Sequence, residues 1–317
     1  MPIHTATSTL SRQDRLFDLL RGMGAAGADV ARVGDVDARI ASGRAGLFLK
    51  HDVHGLNLDG LDRFARRQAD EGLFGTYLFM APDHPLTAPH YGFARQARSM
   101  RSLRDLGHEV GLHIDPYFLA HHAGRPLREV LGETVAAFAA AGVPLAVGNM
   151  HGNSRHKHPD LDGRGTMFDL FDELGRQPDF PELSRVPPAS AALIRAERVR
   201  LADFGFLHWA DMPMWSARHG FVVTNFVTDN QLGKAGTVET LVHECAIGGY
   251  GLADRQPPGS RSLGPLREAV PVRTVQAPPP APGGATLPFD SPDLAARLRS
   301  LAGHPTLMLI HPEFYCA

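Results

Sequence analysis

The segment His51-Asp52-Val53-His54 puts two imidazoles and a carboxylate at the end of the apolar run Gly46-Leu47-Phe48-Leu49. Along an extended strand alternate side chains share a face, so Asp52 and His54 point into one cavity while His51 and Val53 point away. A carboxylate and an imidazole on one wall suit a divalent transition metal such as zinc, and Asp52 could equally be the base that takes a proton from water. The competing reading is that Asp52 only caps the next helix and His54 lies in solvent. The chain has 17 histidines, many of them just after apolar runs.

Three further strand-end histidines can join this pair. In Glu109-Val110-Gly111-Leu112-His113-Ile114-Asp115 the alternation sets Glu109, Gly111, His113 and Asp115 on one face, which makes His113 a candidate ligand. His151 follows Leu145-Ala146-Val147 and opens a polar loop in which Arg155 could bind a substrate anion. His311 ends Leu307-Met308-Leu309-Ile310 and suits a general acid that protonates a leaving amine or alcohol near neutral pH. Asp211 and Asp229 follow other strand ends as candidate substrate contacts, and Trp209 offers a sugar-stacking face, with packing in the core as its alternative. His243-Glu244-Cys245 lacks the His-Glu-x-x-His spacing of zinc proteases and reads as part of a helix with a structural role.

Seven strands would position these residues: 46–49, 76–80, 110–112, 145–147, 204–207, 221–223 and 307–310. Between them, a period near 3.6 predicts helices after Asn57 and over 93–106, 127–141, 189–200 and 292–301, the last opening on Ser291 and Pro292. Alternating strands and helices imply a parallel α/β sheet, barrel or doubly wound, with its active site at the C-terminal strand ends, where the histidines fall. No Gly-x-Gly-x-x-Gly follows the first strand, which argues against a dinucleotide site. The proline- and glycine-rich stretch 255–288 reads as a surface loop inside a single catalytic domain spanning 1–317, whose first part, 1–44, reads as a helical extension.

The composition, 43% hydrophobic and 21% charged in 317 residues, is that of a globular protein, with no apolar run of the roughly 20 residues a membrane span needs. A net charge of −2 gives no basic field for nucleic acid or an anionic membrane, which leaves a small molecule or glycan as the expected partner and the oligomeric state open. The N-terminus lacks the basic and apolar regions of a signal peptide, so a cytoplasmic location is expected. Cys245 and Cys316 are too few for a disulfide framework or a thiolate zinc site.

Together these segments resemble the polysaccharide deacetylase (NodB-homology, carbohydrate esterase family 4) superfamily, in the branch whose first motif is His-Asp-Val-Asp. Leu49 to His54 resembles that motif, Gly75 to Phe79 the second strand, Leu106 to His113 the stretch leading to the metal-binding histidine, and Leu309 to Pro312 the last motif. The resemblance spans most of the chain. It implies a distorted seven-stranded (β/α) barrel, hydrolytic removal of an N- or O-linked acyl group from a carbohydrate, and a divalent metal, zinc first. It further implies Asp52 as base, His113 as ligand and His311 as acid. The chain departs from the family pattern at three places. His54 stands where an aspartate ligand is expected, Tyr117 stands where a second histidine is expected, and 151–155 replaces the arginine-proline motif. Asp52 can therefore be base or ligand, and His151 or Asp115 can complete the set. A carbohydrate-binding homologue without activity and an amidohydrolase acting on a non-sugar amide are the alternatives.

Overall fold

The computed structural model describes residues 11–44, 46–54, 57–84, 87–151, 171–174, 196–211, 214–222, 225–229, 240–244, 285–288 and 306–316. Helix α1 (Arg12–Ala25) starts at a capping box between Ser11 and Asp14 and is followed by β1 (Asp29–Ala31), a single 3-10 turn at Val33–Asp35 and α2 (Val36–Ser42). Then come β2 (Gly46–Val53), α3 (Leu58–Asp70), β3 (Thr76–Met80), α4 (Phe93–Asp105), β4 (Glu109–Ile114), α5 (Pro116–Ala123), α6 (Leu127–Ala140) and β5 (Val147–Met150). The later strands are β6 (His208–Trp209), β7 (Met214–Ser216), β8 (Gly220–Val222), β9 (Asn225–Thr228), β10 (Thr240–Glu244), β11 (Ala285–Pro288) and β12 (Thr306–Ile310).

Seven strands pair in parallel in the order β9-β12-β2-β3-β4-β5-β6, and the antiparallel strands β10-β11 and β7-β8 extend the two ends. The sheet is curled into a half-barrel, and no pairing among the described residues joins its edges. The expected seven-stranded α/β architecture is thus present as an open, mostly parallel sheet. Among the described residues no helix is long and apolar enough to cross a membrane.

The period of two sorts the central strands β2 to β5 into an outer and an inner row. Outward, Leu49, Val53, Tyr77, Phe79, Val110, Leu112 and Ile114 pack in one core with the buried faces of the helices, such as Leu61, Phe64 and Ala65 of α3 and Met100 and Leu103 of α4. Inward, Phe48, Leu78, Val147, Ala210, Met214, Val222 and Leu307 form a smaller core. The segment 29–42 closes the base of this inner core with Ala31, Val33 and Val36. It is pinned there by Val33 N–H to Thr76 Oγ1 (2.8 Å) and Gly34 N–H to Glu109 Oε2 (2.9 Å). The N-terminal segment carries the helices α1 and α2, and it also adds β1 to the sheet and covers the base of the half-barrel.

Other expectations shift by a few residues. The strand expected at 145–147 runs from Val147 to Met150, which brings Asn149 onto the inner face. No strand forms at 204–207: Phe204 ends the 3-10 turn Leu201–Phe204, Gly205 follows at φ 82°, a left-handed conformation that interrupts extended pairing, and β6 starts only at His208. Of the run 221–223, positions 221 and 222 belong to an antiparallel hairpin, while the parallel strand is Asn225–Thr228. His243 and Glu244 lie in a strand, β10, and not in a helix, and 285–288 of the proline-rich stretch pair with it as β11. The helices expected at 189–200 and 292–301 fall mainly or wholly outside the described residues.

Two outward-facing histidines are structural. His51 stacks on Tyr77 with ring centroids 4.1 Å apart, and His108 accepts from Gly75 N–H through Nδ1 (3.3 Å) and donates to Ala65 O through Nε2 (2.9 Å). Burial holds both below the usual histidine value, His51 at about 3. A histidine depressed in the folded state contributes stability that is full above its unfolded value and lost as pH falls below it. For a histidine that stays neutral throughout, the loss between pH 7 and pH 5 is about 2 kcal/mol. With a chelator present, the urea midpoint should be flat above pH 7 and fall from about pH 6.5 downward. His108→Leu should be less stable at neutral pH yet flatter towards acid, and an unchanged acid slope in both His51→Leu and His108→Leu would contradict this origin.

Candidate metal centre

The inner row of β2 runs from apolar to polar towards its C-terminal end, through Phe48, Lys50, Asp52 and then His54, and β4 does the same through Gly111 to His113. Gly111 is required there, because a Cβ would sit 2.6 Å from Val147 O on the neighbouring strand. His54, His113 and His151 meet at this end, with one ligand atom from each within 4.8 Å of the others. This cluster can hold a metal ion. His113 and His151 are buried, while the His54 side chain is 28% exposed and marks the open side.

In each of the three, Nδ1 is committed to an oxygen. His54 Nδ1 lies 3.0 Å from Glu313 Oε1, and His151 Nδ1 lies 2.6 Å from Asp115 Oδ2. Since carboxylates accept, both nitrogens carry the proton. His113 Nδ1 lies 2.6 Å from Asn149 Oδ1, and the Asn149 amide donates to Asp52 Oδ1 at 3.1 Å. The carboxylate thereby fixes the amide orientation, and the amide oxygen fixes Nδ1 of His113 as a donor. Each imidazole is left with its lone pair on Nε2, the arrangement by which outer partners orient metal-binding histidines. His54 Nε2 and His113 Nε2 stand 3.2 Å apart. Two lone pairs at that distance repel unless a cation lies between them, and tetrahedral zinc with bonds of about 2.0–2.1 Å spaces its nitrogens about 3.3–3.4 Å apart.

Protonation states divide the site. Burial, then the neighbouring imidazoles, keep His113 well below the usual histidine value, and burial followed by His54 lowers His151 to about 3, so both are neutral as ligation requires. At His311 burial acts in the same direction, but the Asp229 contact, helped by Asp52 and Glu313, outweighs it and raises the group to about 9. Asp229 grips His311 twice, accepting from its backbone N–H at 2.8 Å and from Nδ1 at 2.5 Å. The His311 ring stands 5.4 Å from that of His54.

Asp52 is buried below the imidazoles. Its Oδ2 is 3.7 Å from His113 Nε2 and 3.6 Å from Lys50 Nζ. Lys50 also lies 3.8 Å from Asp211 Oδ1, while Asp211 Oδ2 accepts from Met150 N–H at 2.9 Å. Burial, against the opposing pull of Lys50, raises Asp211 to about 6.

Comparison with protein-family models, curated proteins and solved structures finds no match to this chain.

The structure brings Asp52, His54, His113, His151 and His311 to one strand-end site. Asp52 does not cap α3, because Asn57 does so by accepting from Gly60 N–H. The expected substrate contacts fare differently. Trp209 is fully buried between Phe171 and Phe206 and offers no stacking face. Asp229 is likewise buried and holds His311, and Asp211 is committed to β5 and Lys50, so neither is a free substrate ligand. Arg155 lies outside the described residues. Asp115 orients His151, and Tyr117 lies in the first turn of α5, a helix the sequence pattern did not reveal. Sequence reasoning missed Asn149, Glu313 and Lys50. The strand alternation could have flagged Asn149, two residues before His151, and Lys50, two before Asp52, once the strand limits were known.

Glu313→Gln and Asp115→Asn should each weaken the binding of one equivalent of zinc by roughly 10–100-fold, read by competition with a chromophoric chelator at pH 7.5. Full affinity in both variants would mean that the metal is held by other groups.

Proposed function

We propose that the protein is a zinc-dependent hydrolase that removes an acyl group from a carbohydrate, with His54, His113 and His151 as ligands, Asp52 as base and His311 as acid. The observation that carries this reading is the division of the imidazoles: three whose Nδ1 is tied to an oxygen, which puts the lone pair on Nε2, and a fourth held protonated by Asp229 beside them. Three protein ligands with an open side are the pattern of catalytic zinc, in contrast to the closed four-ligand structural site. The half-barrel and the strand-end placement support the deacetylase-type resemblance.

A zinc ion at this centre would polarise the acyl carbonyl and make water acidic enough to attack at neutral pH. Asp52, aimed by Asn149 and Lys50, takes the proton from the attacking water as its oxygen bonds to the acyl carbon. His311 donates its Nε2 proton to the nitrogen or oxygen that departs when the acyl bond breaks, and Asp229, bonded to Nδ1, favours the doubly protonated ring that carries it. Glu313 sets a carboxylate directly behind His54, which returns negative charge where the family has an aspartate ligand. A second reading, hydrolysis of a non-sugar amide, is favoured by one observation, the burial of Trp209, which removes the expected sugar-stacking surface.

A panel of N-acetyl and O-acetyl sugars and simple acyl amides, assayed with zinc, cobalt or manganese, separates these readings. Turnover of acetylated sugars, lost with chelator and in His113→Ala, is expected. Turnover of the amides alone selects the second reading, and a metal-loaded protein inert towards the whole panel would be a binding homologue. If Asp52 is the base, Asp52→Asn should keep the metal and lower kcat by roughly 10²–10⁴-fold, whereas loss of metal would make it a ligand.

The pH profile tests the acid. Asp229 raises His311, so the alkaline limb of kcat/KM should lie above neutrality and move to lower pH in Asp229→Asn. A limb that does not move would remove His311 from the proton-transfer step.

A further inference from the structure

The outer helical layer carries a groove that shares no residue with the strand-end centre. It has a volume of about 510 Å³ and is lined by Arg66 of α3, by Arg98, Arg101, Ser102 and Asp105 of α4, and by Leu106 just after α4. Clefts that hold small molecules measure roughly 300–1,000 Å³. Positions 98, 101, 102 and 105 recur at helical spacing, so one face of α4 forms most of the groove and α3 supplies the facing wall.

Elsewhere on the surface arginines meet carboxylates: Arg21 pairs with Asp18 and Glu71, Arg95 with Asp59, and Arg125 with Glu129 and Glu133. Among the described residues Arg66, Arg98, Arg101 and Asp105 form no ion pair, and Asp62 feels the charge of Arg66 only from beyond pairing distance. Arg101 is aimed by its Nη1, which donates to Ala141 O just past α6 at 2.8 Å and leaves the rest of its donor fork open. The preference of a helix C-terminus for cations fades within the last turn, and Arg98 stands about two turns before the end of α4, so the helix dipole does not account for it.

We propose that this groove binds a phosphorylated sugar, with the phosphate on Arg66, Arg98 and Arg101 and the sugar hydroxyls on Ser102 and Asp105. Three guanidiniums against one carboxylate leave an excess of positive charge that matches a phosphate monoester, which carries about −1.5 to −2 near pH 7. Guanidinium forks bind phosphate oxygens through paired hydrogen bonds, and α3 and α4 present them from two walls. Asp105 repels a second phosphate and accepts from hydroxyl groups, Ser102 both donates and accepts, and Leu106 offers an apolar face to the sugar ring. The site does not depend on the reaction proposed for the metal centre.

Calorimetric titration of the full-length protein at physiological ionic strength tests this, with glucose 6-phosphate and ribose 5-phosphate as ligands and inorganic phosphate, sulfate and glucose as controls. At least one ester should bind as a single equivalent with a Kd of roughly 1 mM or tighter, inorganic phosphate several-fold more weakly, and glucose not at all. Arg66→Gln and Arg98→Gln change exposed side chains that hold no ion pair, and each should weaken the ester at least about tenfold. Asp105→Asn should weaken the ester and leave inorganic phosphate unchanged or tighter. No saturable binding of either ester, full affinity in both arginine variants, or equal affinity for sulfate, inorganic phosphate and the esters would overturn the proposal. Binding that His113→Ala abolishes and the arginine variants keep would place the phosphate at the metal centre and overturn it as well. Recruitment to vesicles of equal parts phosphatidylcholine and phosphatidylglycerol, lost in the arginine variants and without binding of either ester, would overturn it in favour of a lipid surface.

Discussion

Three hydrogen bonds from imidazole Nδ1 atoms to fixed oxygens decide what the strand-end site can do. An imidazole has two nitrogens, and it is a defined ligand only when one of them is committed. Glu313, Asn149 and Asp115 supply that commitment to His54, His113 and His151 from the 3-10 turn Pro312–Phe314, from β5 and from the end of β4 respectively. The acceptors come from different parts of the chain, so the orientation of the cluster requires the assembled half-barrel. Neighbouring strands hold these partners in register, with His113 opposite Asn149 across β4 and β5.

The same geometry separates proton states without any change of residue type. Four imidazoles stand in one cavity, yet burial and mutual repulsion keep His113 and His151 neutral, while the carboxylate of Asp229 holds a proton on His311. Environments that push identical groups apart are how a site obtains ligands and acid from one side chain. Lys50 balances the inner carboxylates. It is buried with Asp52 and Asp211 on either side, and without a cation there the two carboxylates would face each other in a medium of low dielectric. The packed apolar base under these groups, from Phe48 to Leu307, excludes water from below, and among the described residues the exposed side is the one at His54.

Much of this was legible in the chain. Period-two alternation correctly set Asp52, His54 and His113 on the inner face and His51 and Val53 outside, and the helices after Asn57, from 93 and from 127 stand where the 3.6 period put them. What escaped depended on contacts distant in sequence. Glu313 meets His54 across 259 positions, a distance at which spacing carries no signal. Trp209 could not be assigned to a surface or a core before Phe171 and Phe206 were placed around it. The strand expected at 204–207 included Gly205, and only its left-handed conformation shows why pairing begins at His208. The role of 29–42 was equally hidden, because a short strand and a seven-residue helix become a barrel floor only through what they cover.

The central claim, that three imidazoles bind a metal through Nε2, is tested most directly by crystallography of the zinc-loaded protein with diffraction recorded on both sides of the zinc absorption edge. The account predicts an anomalous peak about 2.0–2.1 Å from Nε2 of His54, His113 and His151, with Nδ1 of each still on Glu313, Asn149 and Asp115. A zinc-loaded crystal with no peak among these three nitrogens, or with ligation through Nδ1, would contradict it.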